Sequence, residues 1–298
     1  MITIRNFYPS IRDGVFSAWQ TGGRFHGVII VHLLFIFLTS ALPSCGSANA
    51  FEVFIKTNYK NQPDLSKYGA KKLHMIYAQR FWSKGQDRQP LPSKERVISF
   101  VAGKYKDYPG LLILDIEHWP LLGFDERAAD RVKKLITVLE WVKAAAPKAK
   151  VGYYGTIPQG VYWPLLKPPI DPSYIEWQRK NSLGQALADR VDALSPNFYA
   201  VHANQANWVK VATAKINESK RLGKGKPVYL VINPRYHSHA YDNLRYQLIP
   251  KDFFKLQLQT IKAAGARGVL IWGADNANKQ WSDDLPWWQA TLEFLGRK

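Results

Sequence analysis

The chain has 298 residues, 46% of them hydrophobic and 21% charged, which excludes a disordered or collagen-like protein and allows a substantial core. Its 41 Lys and Arg outnumber its 23 Asp and Glu, which gives a formal charge of +18. A single cysteine, Cys45, excludes a disulfide framework and a thiolate metal site.

Residues 1–50 have the pattern of an export signal. The apolar run Gly27–Leu42 follows three arginines and precedes small residues that end at Ala48-Asn49-Ala50. A basic flank, an apolar run of about 15 residues and an Ala-x-Ala end are typical of a secretory signal, and a membrane span needs ~20 residues. We therefore expect cleavage after Ala50 and a secreted or periplasmic bacterial protein. Two alternatives stay open: the segment persists as an anchor, or Cys45 carries a lipid.

The remaining residues, 51–298, are strongly basic. Without the leader, 38 basic side chains oppose 22 acidic ones, a formal charge of +16. Such a charge favours an anionic partner, which the composition leaves open as nucleic acid, an anionic polysaccharide or an envelope surface, with simple solubility as the alternative. The basic stretch Arg221–Pro227 is too short to indicate nucleic-acid binding and predicts a solvated turn.

Short apolar stretches predict seven strands over residues 51–298. They are Phe51–Lys56, Leu73–Ala78, Leu111–His118, Val151–Gly155, Val191–Tyr199, Val228–Ile232 and Gly268–Gly273.

Apolar residues at helical spacing predict helices between several of these strands. They are Asp125–Ala146, Trp208–Arg221, Asp252–Ala264 and Leu285–Leu295. Asp125 is expected to cap the first helix, Pro147 to end it, and Gly265 to follow the third as a C-terminal cap. Lys84–Lys94 and Pro164–Pro172 are predicted loops.

Alternation of apolar strands with helices predicts an α/β fold with a parallel sheet covered by helices. Polar and aromatic residues collect at the carboxyl ends of the strands: Asp115, Glu117, Tyr154, Tyr199 and Trp272. This distribution fits a TIM-like barrel, distorted and with about seven parallel strands, whose active site lies at that end. Neither GxGxxG nor GxxxxGK[ST] occurs, which argues against a doubly wound nucleotide-binding sheet.

The most informative feature is a pair of acids at the end of the third strand. Asp115 and Glu117 are two residues apart, so a strand places both side chains on one face. Two acids close together raise the pKa of one of them, which can keep a proton available near neutral pH. Such a pair can protonate a glycosidic oxygen. The pattern alone leaves open a structural role, in which the acids bind an arginine or cap a loop.

Six segments carry a resemblance to a known family. Gly110–Trp119 resembles the pattern G-x-x-x-[IL]-D-x-E-x-W, and Gly265–Gly273 resembles G-A-x-G-x-[VIL]-[IL]-W-G. Together with four further segments in the same order, they make residues 51–298 similar to the hyaluronidase family of glycoside hydrolases. The four are Phe51–Phe54, Met75–Tyr77, Gly152–Gly155 and Leu194–Tyr199. The disulfides of the animal enzymes are absent, and the loop after Trp119 is much shorter.

The resemblance implies roles for six side chains in a barrel catalytic domain over residues 51–298. Glu117 corresponds to the general acid and base, and Asp115 to the residue that orients the substrate's acetamido group and stabilises its charge. In that mechanism the N-acetyl oxygen attacks the anomeric carbon, so the protein supplies no nucleophile. The resemblance implies four substrate-binding residues: Tyr77, Tyr154, Tyr199 and Trp272.

The sequence therefore predicts an exported glycoside hydrolase that cleaves β-linked N-acetylhexosamine bonds in a polysaccharide, which the charge suggests is anionic. Two alternatives stay open: a barrel glycosidase acting on another glycan, and a carbohydrate-binding protein without turnover. No cofactor, metal or nucleic-acid partner is predicted, and a membrane is involved only if residues 1–50 persist. His237 and His239 lack an evident third metal ligand, and His118 is expected to be structural.

Overall fold

The computed structural model describes residues 50–121, 127–241, 243–273 and 279–297. The predicted export segment lies outside the described residues except for Ala50, and so does the predicted helix cap Asp125. Among the described residues, no helix is long and apolar enough to span a bilayer.

Seven strands and seven α-helices lie within the described ranges. The strands are β1 (Glu52–Thr57), β2 (Lys71–Lys72), β3 (His74–Tyr77), β4 (Leu111–Asp115), β5 (Lys150–Tyr153), β6 (Tyr229–Ile232) and β7 (Gly268–Gly273). The helices are α1 (Lys94–Tyr105), α2 (Ala128–Ala145), α3 (Pro172–Ser182), α4 (Gln185–Ala188), α5 (Gln205–Gly223), α6 (Lys251–Ala263) and α7 (Pro286–Phe294).

The strands form two parallel sheets, in the orders β2-β1-β7-β6 and β3-β4-β5. Only Leu73 separates β2 from β3, so one extended stretch pairs first with β1 and then with β4. The predicted α/β fold with parallel strands is confirmed.

The predicted strand Val191–Tyr199 is present only as isolated parallel bridges between β5 and β6. Ser195 pairs with Tyr154 after β5, and Leu194 and Asn197 pair with Val228 and Val231 on the β6 side. Pro196 has no N–H to donate, so the hydrogen-bond ladder lacks one rung in the middle of the segment. The segment nevertheless packs tightly, because a Cβ at Gly152 would lie 2.7 Å from the carbonyl oxygen of Ala193.

The two faces of the sheets pack against two different hydrophobic clusters. Leu112, Leu114 and Ile116 belong to the large cluster that the helices cover, whereas Leu111 and Ile113 belong to a smaller second cluster. Buried residues of β1, β3, β6 and β7 complete that second cluster: Phe54, Met75, Tyr229, Val231 and Leu270. Tyr77, Tyr154, Tyr199 and Trp272 pack against it. The period-two assignment of the third strand is therefore confirmed, and its even-numbered residues face the helices.

All four predicted helices are present with shifted ends, as α2, α5, α6 and α7, but α1, α3 and the short α4 were not predicted. In α1 the buried face consists only of Val97, Val101 and Tyr105, and the Ser93 hydroxyl accepts a hydrogen bond from the Arg96 amide at its start. The helix α3 begins at Pro172, the last of the prolines that indicated a loop, with Asp171 as its N-terminal cap.

The predicted glycine cap of α6 is confirmed. Gly265 has φ +80°, a backbone conformation that glycine adopts without strain. Its amide donates to the Lys262 carbonyl, and the Ala266 amide donates to the Ile261 carbonyl, which is the Schellman pattern at a helix end.

Candidate active site

The candidate site lies at the carboxyl ends of the parallel strands. Asp115 is the last residue of β4, and its register partner on β3 is Tyr77. Trp272 is the penultimate residue of β7, with Lys56 of β1 beside it. Tyr154 directly follows β5. Because all the strands are parallel, these ends share one side of the sheets.

The acid pair differs in exposure. Asp115 is half-buried, and Glu117, two residues beyond the end of β4, is exposed. Burial, and then the neighbouring charge of Glu117, raise the pKa of Asp115 to about 7. None of the ion pairs found among the described residues includes either acid. The structural alternative, an acid pair that binds an arginine, is therefore absent from the described part of the chain.

The two tyrosines share a hydrogen-bonded chain. The side-chain amide of Asn197 donates to the Tyr154 hydroxyl at 2.9 Å, and that hydroxyl donates to the Tyr199 hydroxyl at 2.9 Å. Burial raises the pKa of Tyr154 to about 12, so both rings are neutral donors at physiological pH. The structure thus brings together Tyr154 and Tyr199, which are 45 residues apart in sequence.

A second chain of contacts joins Trp272, Tyr77 and Lys56. The indole nitrogen of Trp272 donates to the Tyr77 hydroxyl at 3.0 Å, and the Trp272 ring stacks on Tyr199 with centroids 6.2 Å apart and planes 6° apart. The Lys56 ammonium lies 5.5 Å from the centre of the Tyr77 ring. All four predicted binding aromatics therefore belong to one cluster around the end of β4.

Lys56 is a candidate binding residue that the sequence analysis missed. It lies two residues after Phe54, which belongs to the second cluster, so the strand period places its side chain on the face of the candidate site. Burial, and then the charges of Lys72 and Lys104, lower the pKa of Lys56. That signal was available in the sequence, because a lysine on the inner face of an apolar strand is uncommon.

Asn197 is held in place from two directions, and neither was predicted. Gly155 has φ +61° and no side chain, and a Cβ there would lie 3.0 Å from the Asn197 amide group. From α5, the buried Lys215 ammonium donates to the Asn197 carbonyl at 2.8 Å and lies 5.3 Å from the Phe198 ring. Burial lowers the pKa of Lys215 to about 8. These contacts fix the segment that carries Asn197 and Tyr199.

A cavity of about 200 Å³ opens beside Glu117, and Asp115 is not part of its lining. Its lining includes Glu117, Trp119, Tyr154, Gln159 and Asn197. Trp119 is buried, and its indole nitrogen donates to the Gln89 carbonyl, so this ring both packs a loop and walls the cavity.

Of the histidines noted in the sequence, His237 borders the candidate site, with its ring 5.7 Å from the Tyr199 ring. The ring of His118 packs edge-on against Trp82, and burial lowers its pKa to about 4, in keeping with a structural role. His237 accepts a hydrogen bond from the His239 amide. Among the described residues, no group of three or more His, Cys, Asp or Glu could hold a metal ion.

No family model and no curated protein matches the sequence. Among solved structures, bee venom hyaluronidase aligns with a TM-score of 0.57 and 14% identity, over 82% of this chain and 96% of that chain. Bee venom hyaluronidase in complex with a hyaluronic acid tetramer aligns with a TM-score of 0.55 and 16% identity, over 82% and 95%. The endo-1,4-β-D-mannanase of Thermotoga petrophila aligns with a TM-score of 0.46 and 15% identity, over 82% and 75%.

At this identity, the hyaluronidase likeness concerns the fold. The chain has an α/β fold with parallel strands, of the kind found in glycoside hydrolases, and it spans nearly the full length of the hyaluronidase structures. Such a likeness does not extend to the roles of individual side chains.

Proposed function

We propose that the protein is a glycoside hydrolase that cleaves β-linked N-acetylhexosamine bonds in a polysaccharide, with retention. One observation carries the proposal: an acid pair at the carboxyl end of a parallel strand, whose member Asp115 has a pKa raised to about 7, meets a cluster of four aromatic side chains. An acid pair that keeps a proton near neutral pH, next to aromatic side chains that can contact a sugar, is suited to protonate a bound glycan.

In this mechanism the substrate supplies the nucleophile. Glu117 gives a proton to the glycosidic oxygen while the N-acetyl carbonyl oxygen attacks the anomeric carbon and the glycosidic bond breaks. A water molecule then attacks the anomeric carbon from the face that the leaving group has vacated and opens the cyclic intermediate. Glu117 takes a proton from that water. The two acids share one proton, so its transfer through Glu117 leaves Asp115 ionised. The Asp115 carboxylate then stabilises the positive charge that grows on the acetamido nitrogen, an effect realised mainly in the transition state.

The aromatic cluster supplies orientation. The hydroxyls of Tyr154 and Tyr199 would hydrogen-bond the acetamido group and the reacting sugar, and Trp272 would wall the acetamido pocket, with Tyr77 held against it. Asn197 is the added positioning residue, because it fixes the Tyr154 hydroxyl. Holding the acetamido oxygen near the anomeric carbon is worth a large factor in rate.

The charge of residues 51–298 and the half-buried Lys56 support an anionic glycan.

We further propose export through residues 1–50, with the catalytic domain starting near Phe51. The bridges of residues 194–197 to both β5 and β6, together with the double pairing of the β2–β3 stretch, support one closed barrel of about seven strands.

The direct test is a screen of the purified protein against acidic and neutral polysaccharides, with new reducing ends as the readout. We expect cleavage of N-acetylated polymers and at least ~10²-fold slower cleavage of the same polymers after de-N-acetylation. A thiazoline analogue of the cyclic intermediate should inhibit. Efficient cleavage of polymers without N-acetyl groups, or a glycosyl adduct on Asp115, would contradict this mechanism and leave another barrel glycosidase.

Binding without turnover on any polymer would instead favour a carbohydrate-binding protein. The acid pair is the feature that speaks for catalysis, since it keeps a proton near neutral pH that a general acid can use, whereas binding alone needs only hydrogen-bond acceptors.

A further inference from the structure

Two of the most exposed aromatic side chains lie close together. Trp163 is 64% exposed and Tyr241 is 55% exposed, whereas most other large aromatic side chains of the described chain are buried. His202 connects them: its ring stacks on Tyr241 with centroids 4.4 Å apart and planes 6° apart, and it lies 6.4 Å from the Trp163 ring. We call Trp163, His202 and Tyr241 the rim platform.

The rim platform lies at the same end of the strands as the acid pair. Trp163 follows β5, His202 follows the bridging segment 194–197, and Tyr241 follows β6. Each therefore belongs to a loop that leaves the carboxyl end of a parallel segment.

The loops that carry the platform are fixed to one another. The Tyr241 amide donates to the Val201 carbonyl, and the His237 amide donates to the Ala200 carbonyl, both at 2.9 Å. From α5, the Lys210 ammonium donates to the Leu166 carbonyl at 2.7 Å and holds the turn that starts at Trp163. A surface already held in one arrangement loses little entropy when it binds a ligand.

Aromatic rings connect the platform to the candidate site. Tyr199, stacked on Trp272, lies 5.7 Å from His237, and His237 lies 4.9 Å from His239. His239 and Tyr241 then line an open depression of about 710 Å³ together with Arg245. A ligand that starts at the acid pair can therefore pass along rings and basic side chains before it reaches the platform.

We propose that the rim platform is a second sugar-binding site, which takes pyranose rings of a long glycan whose cleaved bond lies at the acid pair. Exposed, stacked ring faces suit the flat C–H faces of pyranoses, and an exposed apolar patch at the mouth of a site indicates a ligand surface. Arg245 suits an acidic group on the same glycan. The proposal deepens the proposed function and rests on it for the identity of the ligand.

The test measures affinity as a function of glycan length. Full-length chains carrying Glu117→Gln, which prevents cleavage, are titrated with hyaluronan, chondroitin and chitin oligomers, from the tetramer upwards. Above a threshold length, Trp163→Ala should weaken binding roughly tenfold, and short oligomers should bind with unchanged affinity. Trp163→Phe should keep most of the affinity for long oligomers. Ile175→Ala, which removes a 52% exposed side chain on α3, is the control and should change nothing.

The outcomes separate this proposal from the proposed function. Equal affinity of the Trp163→Ala and parent chains for every oligomer, or an equal loss at every length, overturns the rim platform even if the unmodified protein cleaves polymers. A length-dependent loss in a protein that cleaves nothing keeps the platform and overturns the hydrolase. Failure to bind any oligomer overturns both.

Discussion

The two ends of the parallel strands each hold a carboxylate, in opposite surroundings. At the amino end, Glu52 accepts hydrogen bonds from Lys71, Tyr229 and Arg267. Burial alone would raise the pKa of Glu52, but these bonds outweigh it and hold the pKa below its usual value. At the carboxyl end, Asp115 has the acid Glu117 as its charged neighbour, and its pKa rises to about 7.

The difference shows which end is built for stability and which for chemistry. Glu52 accepts hydrogen bonds from three donors, two of them cations that neutralise its charge, and this arrangement stabilises the fold. An acid beside another acid costs stability, and such pairs cluster at functional sites. Changes at the two ends should therefore have opposite consequences for turnover and for the free energy of unfolding.

The largest effect is expected from Glu117→Gln. General acid catalysis contributes roughly 10²–10⁴-fold, so turnover should fall by at least ~10²-fold while the thermal unfolding midpoint stays unchanged. Glu52→Gln, the same chemical change at the other end, is the matched control and should leave turnover intact. Turnover of the Glu117→Gln chain close to that of the unmodified protein would refute the assignment of the acid.

Asp115→Asn should separate activity from stability. Because the folded pKa of about 7 exceeds the unfolded value of 3.8, the folded state holds the extra proton, and the free energy of unfolding falls as pH rises through that window. Removing the acid should therefore stabilise the protein above pH 7, by up to about 4 kcal/mol before solvent screening of this half-buried side chain is counted, and leave it unchanged in acid. Turnover should fall at least ~10²-fold with little change in substrate affinity. Urea unfolding at several pH values checks the first expectation, and a variant less stable than the parent at pH 8, roughly one unit above the folded pKa, would contradict it.

The dependence of kcat/KM on pH in the unmodified protein should reflect the proton that Asp115 and Glu117 share. The acid pair keeps one proton up to a pH of about 7, and the leaving oxygen needs it. We expect kcat/KM to fall about tenfold per pH unit above that value. The control is the same profile on Asp115→Asn, in which the residual rate should begin to fall at a lower pH because the like-charge neighbour is gone. A rate that stays constant far into the alkaline range would place the proton donor elsewhere.

The sequence predicted the parts of this site that depend on strand period. The strand Gly268–Gly273 has the predicted ends, and the face that carries Asp115 follows from alternation with Leu112 and Leu114. The order of strands along the chain indicated that these residues share one end. Each of these inferences needs only local spacing.

The parts that could not be predicted depend on contacts between distant segments. The Trp272–Tyr77 hydrogen bond joins residues 195 positions apart, and no spacing rule predicts it. Lys215 has the pattern of an ordinary helix lysine, and only packing against Phe198 makes it a buried support of the site. The predicted strand Val191–Tyr199 was shortened to bridges because one proline outweighed its apolar pattern.

A smaller effect is expected at the amino end of the strands. Glu52→Gln leaves two cationic partners without their acid, and we expect the free energy of unfolding to fall by about 2 kcal/mol near neutral pH. Since the folded pKa of Glu52 lies below the unfolded value of 4.5, its contribution is present above that value and is lost as pH falls through the folded pKa. The difference from the unmodified protein, measured by urea unfolding, should therefore vanish in acid. An equal loss at every pH would show that shape rather than charge matters there.

The smallest effect concerns Lys56, a cation close to the ring cluster. Its ammonium lies 5.5 Å from the Tyr77 ring, where it can attract the acidic group of a sugar bound beside Asp115. Lys56→Gln should weaken binding of an anionic polymer a few-fold at low ionic strength and much less at high salt, because charges are screened beyond about 8–10 Å at ordinary salt. Lys148→Gln removes the same charge just before β5, at the amino end, and controls for net charge. Affinity of the unmodified protein that does not change with salt would indicate a neutral glycan, and the charge of +16 on residues 51–298 would then serve solubility.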